Sequence, residues 1–361
     1  MKHLELFAGI GGFRHALNLL GKDFGFPVEC VGFSEIDTYA SRTYQANYDT
    51  TGEIAMGDIV RFTSDDTNIE ALPDFDILTG GFPCQSFSMM GKQQGFNDIR
   101  GNVFFRIMDI LRIKRPRFIL LENVKNLKLH DKGNTFKAIL TAIKEAGYPY
   151  IYCDIFNTNH FGLAQKRNRV YIFASSIKLP ENFRFDENAV RTSFNKIAGN
   201  TSLMIQKSVL DVLEKQVESK YYLSDTLKPT ILADGSKNFR SKSEINQMIA
   251  RPLTATMVKM HRACQDNYFS DEFINSADPV RYLTQLFSKE DLVKHHIRKL
   301  TPTEAFALQG FSRDFIYNAQ QAGVSNHQLY KQAGNAVSVN TVYAILHYLF
   351  IIQNLQQYVL L

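Results

Sequence analysis

The sequence predicts an α/β fold, a mostly parallel sheet with helices on both faces, joined to a smaller and less regular second domain. Three observations lead there. Over residues 1–175 short apolar runs alternate with amphipathic stretches, the rhythm of strands separated by helices. A glycine-rich turn, Phe7-Ala8-Gly9-Ile10-Gly11-Gly12, follows the first run directly, as it does where a first strand passes into a helix beneath a nucleotide. Beyond residue 175 the rhythm lapses, broken by Gly199, Pro229, Gly235, Pro252 and Pro279.

In order along the chain, strands are expected at residues 2–7, 28–33, 75–79, 118–121, 150–156 and 169–174, with another ending near Asp58. Helices are expected at 13–20, 38–47, 103–114 and 136–146, where apolar residues recur with helical spacing. Regularity returns near Arg298, and a strongly apolar helix closes the chain at about 338–355. Too little chain remains there for a third domain, so this helix should pack back on the first one. The resulting boundaries are 1–175, 176–297, a returning hinge at 298–329, and a C-terminal element at 330–361.

Composition bounds the function. The chain has 361 residues, 45% of them apolar and 21% charged, which excludes disordered, collagenous and small disulfide-stapled classes. Forty-one Lys and Arg face 36 Asp and Glu, a net charge of +5. Cys30, Cys84, Cys153 and Cys264 show no CxxC spacing, so no zinc set is expected, and four free thiols suit a reducing compartment. The N-terminus carries Glu5 and glycines where an export signal needs an apolar run. The longest apolar stretch, 343–352, is interrupted by His347 and is too short for a ~30 Å bilayer core. A soluble, cytoplasmic protein with no metal and no membrane partner is expected.

Four constellations carry chemistry. In the glycine turn, a dinucleotide pattern would put its third glycine at position 14, where Arg14 stands. Such a turn alone is often only tight backbone. Glu35, at the distance of a ribose-binding acid, and Asp58 after Gly57 favour an adenosine site. In Gly80-Gly81-Phe82-Pro83-Cys84-Gln85-Ser86-Phe87-Ser88, a cysteine follows a strand at the sheet's carboxyl edge, where open α/β sheets bind ligands. Free cysteines are ordinarily buried and inert, the reading for Cys30, Cys153 and Cys264. The loop context reverses it for Cys84, and the polar residues up to Gly101 suit a lid. Glu122, in Leu121-Glu122-Asn123-Val124, ends an apolar strand. Partial desolvation would make it a proton donor, although taken alone it is an ordinary strand-end carboxylate. Finally, Gln165-Lys166-Arg167-Asn168-Arg169 places two arginines in alternation, so that both face one side of an extended segment. The bland alternative is a solvated basic surface.

Together these blocks resemble the cytosine-C5 DNA methyltransferases. FAGIGGFR, GGFPCQSFS with GKQQGF and RGNVFF, ENVKN, QKRNRVYI, RKLTPTEAFALQGF and YKQAGNAVSVN occur in the family's order, covering residues 1–175 and 298–361 but hardly the middle. The resemblance implies a Rossmann-like S-adenosylmethionine-dependent methyltransferase fold, with residues 1–175 as catalytic domain and 176–297 as target-recognition domain. It implies Cys84 as nucleophile, Glu122 as acid, and Arg167 and Arg169 as the arginines on the base. It also implies that Phe7, Glu35, Ile36, Asp58, Ile59, Gly81, Pro83, Val103, Asn335 and Val337, with Gly9, Gly11 and Gly12 of the turn, line the pocket for S-adenosyl-L-methionine and its product S-adenosyl-L-homocysteine. Asn102 and Met90 depart from the family's usual smaller residues.

The chemistry implied explains the residue types. A thiolate adding to C6 of cytosine turns C5 into a nucleophilic enamine carbon, and a carboxylic acid protonating N3 prevents charge accumulating on the ring. An arginine on O2 withdraws electrons. None of this fits inside a duplex, so the cytosine must flip out. Residues 228–262, with seven Lys and Arg against Asp234 and Glu244, are then expected to grip double-stranded DNA. Lys237, Arg240, Arg251 and Thr256, the last in Thr256-Met257, would serve the middle domain. Gln85, Ser88, Arg100 and Gln165 would contact DNA from the catalytic side. A monomeric bacterial enzyme of the restriction–modification type is expected. A nicotinamide oxidoreductase leaves the PCQ, ENV and QxRxR blocks unexplained. A tRNA cytosine-C5 methyltransferase of the same family typically carries Cys-Phe-Thr, which is absent. A catalytically dead DNA-binding scaffold does not agree with Cys84, Glu122 and Arg167 all being present.

Overall fold

In the computed structural model, residues 1–83, 103–235, 241–257 and 259–359 are described. Cys84, Gln85, Ser88, Arg100, Lys237 and Arg240, with Met90 and Asn102, lie outside the described residues. The chain divides into two compact units. The first comprises Met1–Phe161, Asn168–Leu203 and Val337–Leu361, the second Gly162–Arg167 and Met204–Ala336.

The first unit is built on a seven-stranded sheet of β1 (Lys2–Leu6), β2 (Glu29–Ser34), β3 (Ile54–Ala55), β4 (Ile77–Gly81), β5 (Phe118–Val124), β6 (Tyr150–Asn157) and β7 (Asn168–Ser175). Their order is β3-β2-β1-β4-β5-β7-β6. The first five pair in parallel, while β7 runs antiparallel to both β5 and β6. Only residues 158–167 separate β6 from β7. A parallel crossover needs a dozen or more residues, usually with a helix, so the chain must return antiparallel. Helices α1 (Gly12–Phe24), α2 (Thr38–Asn47), α3 (Val103–Lys114) and α4 (Asn134–Glu145) complete the α/β pattern. Beneath them lies a continuous aliphatic core that includes Leu4, Leu78, Ile107, Ile119, Ile139 and Ile172.

Two expected strands stop short of their true ends. The β4 strand reaches Gly81 and β5 reaches Val124. Glu122 therefore sits inside β5 rather than after it, because the returning β7 pairs Tyr171 with Glu122 and Arg169 with Val124. Residues 176–203 group with the first unit. There α5 (Glu187–Asn195) donates its Glu187 N–H to Asp154 on β6 at 2.8 Å. The C-terminal helix Val339–His347, buried at every residue, belongs to the same unit. Tyr343 donates a hydrogen bond of 2.7 Å to Asp23 near the end of α1. Of the cysteines expected to be buried, Cys30 and Cys264 are, whereas Cys153 is partly exposed. Burial pushes the Cys30 thiol up to about 12.

The second unit is built of short strands and helices. A short antiparallel pair, β8 (Tyr268–Ser270) and β9 (Ile297–Lys299), is joined by a small core of Leu223, Ile231, Leu232, Ala263, Tyr268 and Ile297. Three helices follow, Pro302–Ala307, Arg313–Gln321 and Asn326–Asn335. The first is opened by a capping box between Thr301 and Glu304. Glu304 also receives a two-pronged ion pair from Arg298, at 2.7 and 2.9 Å, with neither side chain exposed.

Candidate active site

In the first unit the strand order reverses between β1 and β4, a topological switch point. The carboxyl ends of such neighbours open a crevice in doubly wound sheets. At Gly80 this edge is crowded by main chain. Leu6 pairs with Gly80, and a Cβ on Gly80 would stand 2.9 Å from the Leu6 carbonyl oxygen. Phe7 then turns the chain with φ +52°, a left-handed conformation that non-glycine residues adopt at a cost. Gly9 and Gly11 follow at +56° and +84°. Gly12 lacks a side chain for a different reason: its Cβ would lie 2.4 Å from Val337 Cγ2.

Glu35, past the end of β2, grips this turn. One carboxylate oxygen accepts from Gly9 N–H and the other from Asp37 N–H, both at 2.7 Å. Burial raises its carboxyl above the usual range, against the pull of those donors. Beside it opens a pocket of about 340 Å³ lined by Glu35, Ile36, Arg42, Gly57 and Asp58 among others. Ile36 is 72% exposed there, an apolar platform flanked by two carboxylates. That combination fits the flat apolar face and polar edge of an adenosine. Asp58 is exposed and caps the Val60 N–H at 2.9 Å, while Ile59 is buried. Val103 is the half-buried first residue of α3. Pro83 is exposed and Gly81 half-buried.

Gly81 pairs with Glu122 on the adjacent strand, and a Cβ at Gly81 would stand 3.4 Å from Glu122 Oε2. Glu122 itself is buried, and its Oε1 lies 3.0 Å from Arg169 Nε. The next residue, Asn123, donates to the Phe82 carbonyl at 2.8 Å. The ENV block thus tethers the chain two residues before Cys84 while presenting an acid and a guanidinium side by side.

The two arginines expected to act together do different things. Arg169 is on β7 with Glu122. Arg167 is 2% exposed and, within the second unit, donates to three backbone carbonyls: Leu253 (2.9 Å), Gly334 (3.1 Å) and Ala336 (3.0 Å). Gln165, expected on DNA, is wholly buried. Its Oε1 accepts from Leu253 N–H and its Nε2 donates to the Leu308 carbonyl, each at 2.9 Å. Its side chain exposes no atom to a duplex.

Asn335 and Thr256 are exposed in the second unit. Arg251 is half-buried, with its guanidinium on the Glu244 carbonyl at 3.1 Å. Lys228, at the start of the basic stretch, is buried and pairs with Asp225 at 2.9 Å. Among the described residues, only part of that basic stretch is therefore solvent-facing charge.

Sequence reasoning missed a buried polar network under the glycine turn. Glu5 on β1 accepts from the N–H groups of Phe13 and Arg14 at 3.2 and 3.4 Å, capping α1 where Gly11 has no side chain to do so. Arg14 forks onto Glu53 at 2.6 and 2.9 Å and lies over the Tyr48 ring. Tyr48 Oη donates to the Gly11 carbonyl at 2.8 Å. The signal was an arginine where a third glycine was due and an acid within a strand.

Residues 1–350 match the family model of C-5 cytosine-specific DNA methylases. The chain is 39% identical over 347 residues to the Type II methyltransferase M1.ScrFI of Lactococcus lactis subsp. cremoris, covering 95% of this chain and 76% of that protein. It is 36% identical to M.NlaX of Neisseria lactamica, covering 95% and 94%, and 35% identical to M.HpaII of Haemophilus parainfluenzae, covering 94% and 87%. In fold it is similar to the Entamoeba histolytica methyltransferase EhMeth, with a TM-score of 0.71, 20% identity and coverage of 97% and 98%. The S. pombe Dnmt2 methyltransferase gives the same TM-score at 19% identity, covering 98% and 99%. With a pocket past the ends of β2 and β3 and an acid–arginine pair on β5 and β7, the chain belongs to the C-5 cytosine-specific DNA methylase family.

Proposed function

We propose that this protein methylates C5 of a cytosine flipped out of a specific double-stranded DNA sequence, with Cys84 as the covalent nucleophile. The observation that carries the reading is the carboxyl edge shared by the parallel strands β1 to β5. It offers a nucleoside pocket beside Glu35 and Asp58, and a buried Glu122 beside Arg169 on the far side of Gly81. S-adenosyl-L-methionine supplies an electrophilic methyl group when bound. Glu35 would hold its ribose, Asp58 its adenine edge and Ile36 its adenine face. The turn from Phe7 to Gly12, with Val337 behind it, would carry its amino-acid end.

Around the flipped base, the Cys84 thiolate adds to C6 and Glu122 delivers a proton to N3, leaving C5 nucleophilic. Arg169 withdraws electrons through O2. Once C5 carries the methyl group, loss of its proton to water and return of the N3 proton to Glu122 expel the thiolate and restore the ring. S-adenosyl-L-homocysteine is then released. The enzyme would act as a monomer in a prokaryotic cytoplasm, without a metal, as one half of a restriction–modification pair.

The test is transfer of labelled methyl to duplex DNA. Methyl on C5, loss of turnover in Cys84→Ser, and a trapped adduct with 5-fluorocytosine DNA are expected. Methyl found only on RNA, on adenine, or on the cytosine exocyclic amine would overturn the reading.

A further inference from the structure

The QKR segment behaves as a rail for another loop. In the second unit residues 164–167 run alongside 250–253. Ala250 N–H donates to the Ala164 carbonyl at 2.8 Å and Lys166 N–H to the Ala250 carbonyl at 2.9 Å. The side chains then close on one residue from both sides: Leu253 N–H donates to Gln165 Oε1, and the Leu253 carbonyl accepts from Arg167 Nη1. The other nitrogen of the same guanidinium holds the carbonyls of Gly334 and Ala336.

Gly334 presses on the backbone just beyond Leu253. A Cβ there would stand 2.2 Å from Thr254 C and 2.3 Å from Ala255 N, so backbone meets backbone. Farther along, the Asn267 side chain exchanges hydrogen bonds with the Arg251 N–H and carbonyl, at 2.8 and 3.1 Å. Out of this fixed base project Thr254 and Thr256, both exposed, with their hydroxyls 3.4 Å apart.

We propose that Gln165, Arg167 and Gly334 are positioning residues for sequence discrimination. They fix the peptide from which Thr254 and Thr256 meet the edges of bases, and Arg167 does not touch the reacting cytosine. The proposal rests on the reading of the protein as a sequence-specific DNA methyltransferase. Its physical basis is that a buried fork on three carbonyls permits one placement of the loop. Base-edge readout tolerates little displacement, because each misplaced hydrogen bond leaves a desolvated polar group.

The experiment maps cytosine methylation genome-wide in a host expressing the wild-type enzyme, Arg167→Lys, Gly334→Ala or Arg169→Lys. The affinity of each purified protein for S-adenosyl-L-methionine is measured alongside. Lysine keeps the charge of Arg167 but loses the fork. An alanine at 334 pushes the loop from the opposite side. Both are expected to keep wild-type cofactor affinity while methylation of sites one base pair from the preferred one rises at least about tenfold, the scale of a lost base contact. Arg169→Lys is expected to slow turnover with discrimination intact.

Wild-type discrimination in both loop variants overturns the proposal. So does an Arg167→Lys enzyme slowed like Arg169→Lys with its site preference unchanged, and so does loss of cofactor binding in both variants. Failure of the wild type to methylate DNA cytosine removes the underlying reading instead.

Discussion

The two units use arginine in different ways: Arg169 is half-buried beside a carboxylate, whereas Arg167 is fully buried on backbone carbonyls. In the first unit Arg169 lies on a sheet strand in register with a neighbour, and its partner is the Glu122 carboxylate. In the second, Arg167 has no strand beneath it and spends its donors on the carbonyls of three loop and helix-end residues. A seven-stranded sheet satisfies its own backbone, which leaves charged side chains available at its edge. A unit with a two-stranded sheet must satisfy its backbone with side chains, so polar residues there become structure.

The sharpest way to test this contrast is at Glu122. Glutamine keeps an acceptor for Arg169 but cannot act as an acid. Glu122→Gln should lower kcat by about 10²–10⁴-fold with little change in cofactor affinity, read by single-turnover methyl transfer and calorimetric titration. Next in size is the Arg298–Glu304 pair of the second unit. Arg298→Ala strands a fully buried carboxylate and should destabilise that unit by about 3–5 kcal/mol. Cofactor binding by the first unit should survive, so urea unfolding should show one transition shifted and the other not. A common shift would mean that the two units unfold together.

The smallest expected effect is on pH. Burial and the charge of Arg14 lower His3 to about 3, and burial lowers His15 to about 4. Their neutral forms stabilise the fold fully above the unfolded value of 6.5, and this is lost as pH falls toward the folded values. Glu5, raised to about 7 by burial, works in the opposite direction, adding stability at low pH that is lost as pH rises from 4.5 toward 7. Between pH 6.5 and 4.5 the two histidines give stability a slope that falls with acid, opposed by the raised carboxyls of Glu5 and Glu35. His3→Leu should flatten that slope, as followed by urea midpoints across the range.

The sequence alone determined the alternation of strands and helices and the glycine turn, and it singled out Glu35, Asp58 and Glu122 as candidates. Each is a local pattern, whether a periodicity, a backbone conformation that favours glycine, or a residue type at a strand end. Tertiary structure decided the rest. The antiparallel return of β7 placed Glu122 within a strand and Arg169 against it. Burial turned Gln165 and Lys228 inward, and the carbonyls of Leu253, Gly334 and Ala336 engage Arg167. A side chain's partner depends on which distant backbone lacks one, and spacing along the chain does not carry that information.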